Sequence, residues 1–96
     1  MAQQWGKIMS EEMCLEERKV IYRSRRGLTE IDVYFDPYVK QHYLHADEHE
    51  KAMFAELVEQ EDPDLLDWFM AVSTPEHAEW ARMVEKLKSM VFGPNF

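Results

Sequence analysis

The run Asp62-Pro63-Asp64-Leu65-Leu66 constrains the fold more than any other five residues of this sequence. Aspartate can accept from the free amides of a helix start, proline at the first helical position loses no hydrogen bond, and a second acid suits the first turn. Leu65, Leu66, Phe69 and Met70 then recur at helical spacing and give that helix one inward face. The cap-then-proline device recurs at Thr74 and Pro75, ahead of Trp80, Val84, Leu87 and Val91 at spacings of four, three and four. Asp47 with Glu50 has the form of a capping box before Met53, Phe54, Leu57 and Val58, a helix expected to end near Gln60.

Ser10 is placed to cap a helix opening with Glu11 and Glu12; Met13, Cys14, Val20 and Ile21 follow along one side, and Gly27 ends it in a left-handed conformation. The stretch "LTEIDVYFDPYVKQHY" fits two periods. Ile31, Val33 and Phe35 alternate as in a strand, whereas Ile31, Tyr34, Phe35 and Tyr38 form a helical stripe. Helix is the better reading, because Thr29 and Asp32 resemble a capping box and no second strand lies nearby to pair with. Pro37 should kink that helix or force it to restart. The expected fold is all-α: a compact single-domain bundle of about five short helices.

At 96 residues the chain builds one small domain with a thin core. Cys14 is its only cysteine, so there is no intrachain disulfide and no thiol cluster for zinc; a reducing compartment fits, here the bacterial cytoplasm. No apolar run approaches the roughly 20 residues that cross a bilayer. A formal net charge of -8 opposes general nucleic-acid binding and favours a protein partner.

That charge is unevenly spread. Residues 18–26 hold Arg18, Lys19, Arg23, Arg25 and Arg26 with no acid, whereas residues 41–79 hold Lys51 against eleven acids. One reading is structural: Arg23, Arg25 and Arg26 fill the last turn of the first helix and Glu30 the first turn of the next, each favoured by the helix dipole. The other is a polarised patch that orients a specific partner.

"RRGLTEID" at 25–32 followed by "EDPDLLDWFM" at 61–70 resembles the small bacterial succinate dehydrogenase assembly factors of the SdhE or YgfY family, related to mitochondrial succinate dehydrogenase assembly factor 2. The family's Arg-Gly-x-x-Glu signature matches Arg26, Gly27 and Glu30. The resemblance divides the chain into an extension (1–13), a helical assembly-factor domain (14–92) and a tail (93–96). It implies a monomeric, non-catalytic helper that binds the flavoprotein subunit of succinate dehydrogenase, or of the related fumarate reductase, and promotes covalent FAD attachment. The FAD then belongs to the partner and none is held stably by this chain. Arg25, Arg26, Gly27 and Glu30 become the contact residues, joined by Asp62 and Asp64, whose residue types also serve a helix start.

Other sites compete less well. His42, His45 and His49 could gather a metal, but Asp47 used as a cap breaks the helix between the last two. Cys14, flanked by Met13 and Leu15, reads as a buried or semi-buried thiol rather than a nucleophile. Tyr22, Tyr34, Tyr38, Tyr43, Trp68 and Trp80 could stack on a flavin, though aromatics at helical spacing more often fill a small core. An antitoxin-like or regulatory interaction module, unrelated to flavin attachment, is the alternative function.

Overall fold

Ile31, Phe35, Tyr38 and Val39 are all buried while Val33 is 42 % exposed, which settles the ambiguous stretch as a helix: a strand would have put Val33 inside with Ile31 and Phe35. The structure, a computed structural model, describes residues 14–93. These comprise α1 (Leu15–Ser24), α2 (Thr29–Gln41), a short 3-10 turn (Tyr43–His45), α3 (Glu48–Val58), α4 (Asp62–Phe69) and α5 (Ala78–Phe92), with no strand among them. The expected Ser10 cap, the N-terminal extension and all of the tail but Gly93 lie outside the described residues. None of the described helices is long and apolar enough to cross a membrane.

Helix α2 is the hub, packing on α1, α4, α5 and the 3-10 turn, while α3 bridges α1 and α5. It runs through Pro37 as one 13-residue helix without a restart. The aromatic reading of the core holds for most of the rings: Phe54 meets Phe35 edge-on at 5.6 Å and Tyr38 at 4.6 Å between centroids, and Tyr34 stacks on Phe69 at 4.3 Å. Rings in such offset and edge contacts add about 0.5 to 1.5 kcal/mol per pair beyond area burial.

A polar post pins α2, α3 and α5 together. The Tyr38 hydroxyl donates to Glu50 Oε2 (2.6 Å) and Lys86 Nζ donates to Glu50 Oε1 (2.9 Å). Burial works to raise the Glu50 pKa, but the Tyr38 and Lys86 hydrogen bonds outweigh it and hold the carboxyl below its ordinary value. Burial, then the hydrogen bond to Glu50, pushes the Tyr38 phenol far up, so it stays a donor. A carboxylate with a depressed folded pKa stabilises above its unfolded pKa and loses that contribution as pH falls through the folded value. Glu50→Gln is therefore expected to cost about 1 to 2 kcal/mol at neutral pH. Urea denaturation should show the gap between wild type and variant narrowing as pH drops through the carboxylate range; a gap independent of pH would contradict the assignment.

Helix starts depart from the expectations in instructive ways. Asp47 does cap α3, its Oδ1 accepting from the Glu50 amide at 2.7 Å. By contrast, α2 begins after Leu28 with no side-chain cap: the helix starts one residue early, so Thr29 is its first helical residue and the cap position falls to a leucine with no acceptor, while Asp32 accepts from the Arg26 amide instead. The start of α4 is displaced by one residue: Glu61 occupies the cap position, Asp62 the first helical position and Pro63 the second. Thr74 and Pro75 remain in the loop, and α5 starts three residues beyond Pro75, with His77 Nδ1 accepting from the Glu79 amide at 3.3 Å. Cys14 is exposed rather than buried: its Sγ accepts from the Glu17 amide (3.5 Å) while Glu17 Oε1 accepts from the Cys14 amide (3.1 Å). Lys51 Nζ donates to the other Glu17 oxygen at 2.7 Å, tying the start of α1 to α3.

The end of α4 holds a conformation that gave no sequence signal. Ala71 has φ +62°, the Val72 amide donates to the Asp67 carbonyl (2.8 Å) and the Ala71 amide to the Trp68 carbonyl (3.3 Å). These paired bonds form a Schellman motif with alanine where glycine is usual. Since the left-handed region costs a side-chain-bearing residue roughly 1 to 2 kcal/mol, Ala71→Gly should raise stability by about 1 kcal/mol. Thermal unfolding would register this as an increase in Tm; a decrease would mean that the methyl group is needed for packing.

Candidate functional site

The chain reversal between α1 and α2 is built around Asp32. Its Oδ1 accepts from the Arg26 amide (3.0 Å) and its Oδ2 from the Gly27 amide (3.1 Å), so one carboxylate holds two successive backbone N–H groups. Gly27 has φ +79°, as a left-handed turn requires, and is exposed; a Cβ added there would meet no atom within 4 Å. The glycine is required by its backbone angle and not by crowding inside this molecule.

The arginines do not share one helix end. Helix α1 stops at Ser24, whose buried hydroxyl donates to the Ile21 carbonyl at 2.7 Å, and Arg25 forms the C-cap. Only Arg23 lies in the last turn, where it meets Glu59 at 3.2 Å in a largely exposed ion pair. Such a pair contributes roughly 0 to 1 kcal/mol.

Arg26 turns instead to a different helix. Its Nη2 donates to the carbonyls of Val58 and Gln60, the latter at 2.9 Å, and its Nη1 lies 3.6 Å from Asp62 Oδ1. The guanidinium thus caps the carbonyl end of α3, where a cation offsets the helix dipole, and its side chain is only 20 % exposed. Through Asp62 this couples the two motifs singled out in the sequence, 25–32 and 61–70, and through Val58 and Gln60 it ties the first to the end of α3.

Around this lock the surface is open. Tyr22, Arg25, Gly27 and Asp32 line a depression of about 340 Å³. A wider one of about 610 Å³ lies beside it, with Tyr22 and Arg25 again in its wall together with Arg23, Arg26, Glu59 and Asp62. Arg25 also stands near α2, where its charge partly offsets the upward push on the Asp36 carboxyl from burial and from Asp32. Glu30 and Asp64 are exposed on the first turns of α2 and α4 and line neither depression. Of the six residues singled out, the fold joins Arg26 to Asp62 and sets Arg25 and Gly27 in one shared wall.

Two participants were not anticipated. Asp32, read as half of a capping box, is the clamp of the turn. Tyr22, read among aromatics that fill the core or stack on flavin, is 73 % exposed. The signal for Tyr22 was present: Val20, Ile21 and Ser24 mark the buried face of α1, and Tyr22, a further 100° or so beyond Ile21 on the side away from Val20, points outward. Two of the three histidines go to separate partners, His42 beside Lys86 and Glu50 and His49 against Glu79. Among the described residues no group of three or more His, Cys, Asp or Glu is arranged to hold a metal ion.

Comparison with known proteins bears on the same region. A family profile described as "Flavinator of succinate dehydrogenase" matches residues 18–91. An FAD assembly factor SdhE of Acinetobacter baylyi is 69 % identical over 85 residues, covering 88 % of this chain and all of that protein. Its counterpart in Psychrobacter arcticus is 51 % identical over 75 residues, 77 % of this chain and 80 % of that one. In Idiomarina loihiensis the identity is 40 % over 82 residues, with 85 % and 91 % covered.

Proposed function

The chain belongs to the family of succinate dehydrogenase flavinators, and on that premise we propose how it acts. It is an FAD assembly factor: it binds the flavoprotein subunit of succinate dehydrogenase, and of the related fumarate reductase, and promotes covalent attachment of FAD to that partner. It works as a monomer in the bacterial cytoplasm, holds no FAD stably and contributes no catalytic group.

The corner from Arg25 to Glu30 carries this reading. Asp32 and Arg26 fix its backbone from within, so Arg25, Gly27 and Glu30 face outward from a turn whose shape is set before any partner arrives. Preorganisation of this kind reduces the ordering cost of association. Charge on Arg25 and Glu30 sets register with the flavoprotein, and Gly27 lets the partner's surface come close to the turn. Asp62 acts through Arg26, and Asp64 extends the same face along α4.

The factor speeds flavin attachment by preferring the flavoprotein conformation in which the acceptor side chain faces the flavin; that population rises by the ratio of affinities for the two conformations. The test is a deletion strain in which the succinate dehydrogenase flavoprotein is assayed for covalently held, fluorescent flavin in a denaturing gel. Loss of fluorescence restored by this chain is the expected result. Unchanged fluorescence would assign the chain instead to regulatory or antitoxin-like binding.

A further inference from the structure

Tyr22 is a large aromatic side chain that the fold leaves outside. It is 73 % exposed, and among the described residues neither its ring nor its hydroxyl has a hydrogen bond or a ring contact. The other three tyrosines are buried or half-buried, and Tyr34, Tyr38 and Tyr43 all pack against phenylalanines. Exposing a ring of this size gains nothing for the folded chain.

Its position is specific. Tyr22 lies one helical turn before the Arg25–Gly27 corner and forms part of the wall of both depressions, with Arg25 as the other residue common to the two. Tyrosine and arginine are, with tryptophan, the residue types enriched among those that dominate protein interfaces, and a tyrosine ring buries much area with little loss of rotamer freedom. The stretch that carries the ring is the basic one of an acidic chain, residues 18–26 holding five cations and no acid; in space Glu59 and Asp62 stand against Arg23 and Arg26, and Asp32 is turned to the backbone amides of the corner, which leaves Arg25 as the cation shared by both depressions.

We propose that Tyr22 and Arg25 form a two-point anchor for an acidic segment of the flavoprotein subunit, apolar atoms of that segment lying on the Tyr22 ring and a carboxylate on the Arg25 guanidinium. This rests on the docking reading of the corner given above and adds to it the residue that supplies most of the buried area and the chemistry of the segment it receives. Tyr22 is a binding residue and takes no part in forming the flavin bond.

The experiment measures the affinity of the full chain for purified flavoprotein subunit carrying non-covalent FAD, across a range of salt concentrations. Tyr22→Ala, whose unfolding midpoint should match wild type because the ring is exposed, is expected to weaken binding about 30-fold. Tyr22→Phe should retain wild-type affinity. Arg25→Gln should weaken binding and flatten its salt dependence, whereas Tyr22→Ala should leave the salt dependence intact. If Gly27→Arg loses binding while Tyr22→Ala binds like wild type, the anchor is wrong and the docking corner stands. If neither variant changes the affinity, the docking corner itself is wrong and the anchor falls with it. An Arg25→Gln variant with undiminished salt dependence would overturn the acidic segment.

Discussion

Gly27→Arg is expected to yield a folded protein that leaves the flavoprotein almost without covalent flavin. The two halves of that statement have separate causes. A side chain at φ +79° costs roughly 1 to 2 kcal/mol, a fraction of the 5 to 15 kcal/mol typical of a domain's stability, and nothing within 4 Å obstructs the new Cβ. The bundle should survive, with circular dichroism close to wild type and a modestly lower Tm. The arginine side chain must project outward from the turn, into the space the partner occupies in the docking reading. Comparison with Gly27→Ala separates strain from bulk, since both variants carry the backbone penalty and only arginine carries the reach. In-gel flavin fluorescence should fall in the order glycine, alanine, arginine. Normal flavin attachment with Gly27→Arg would place the contact surface elsewhere.

Arg26→Ala should produce the largest loss of stability among surface-facing substitutions. It removes a guanidinium that satisfies the carbonyls of Val58 and Gln60 and pairs with Asp62, in a site only 20 % exposed. Charge-assisted hydrogen bonds contribute about 1.5 to 3 kcal/mol each and do not add fully when they share one donor group, so a loss of about 2 to 3 kcal/mol is expected. For a domain of this size that lowers Tm by about 10 °C or more. Arg26→Lys should recover only part, because an ammonium cannot reproduce the planar fork that meets two carbonyls at once. Function should fall with stability, since the turn and the start of α4 come apart together. A loss below about 1 kcal/mol would mean that water satisfies the α3 carbonyls equally well.

The pattern of what the sequence disclosed follows from the range of the forces involved. Asp47 could be read as a cap because its acceptor role toward Glu50 spans three residues, and the helical stripe of α2 because side-chain period is local. Asp32 has the same local credentials but accepts from the amides of Arg26 and Gly27 across the left-handed turn, and the Thr29 capping box does not form because the helix starts one residue early, with Leu28 at the cap. Arg26 looked like the last turn of its own helix and in fact caps another, 32 and 34 residues away in the chain, a partnership that spacing cannot reveal. Thr74 and Pro75 carry cap signals, yet the loop continues to His77 and Pro75 is buried, packing where a helix start was expected. Ala71 in the left-handed region is invisible to composition, which looks for glycine there.

At the site, Gly27 and the two motifs were legible through residue types and order, whereas their coupling through Arg26 was not. Tyr22 was legible in principle from its angle on α1, but an aromatic in a small chain is weighed first as core.

Amide hydrogen exchange with and without the purified flavoprotein subunit tests directly which face of this bundle meets its partner. With the Arg25–Glu30 corner as the docking face, exchange at residues 22 to 30 should slow in the complex while the 71–77 loop stays unaltered. Unchanged exchange across that corner, with protection gained only on another face, would contradict that placement.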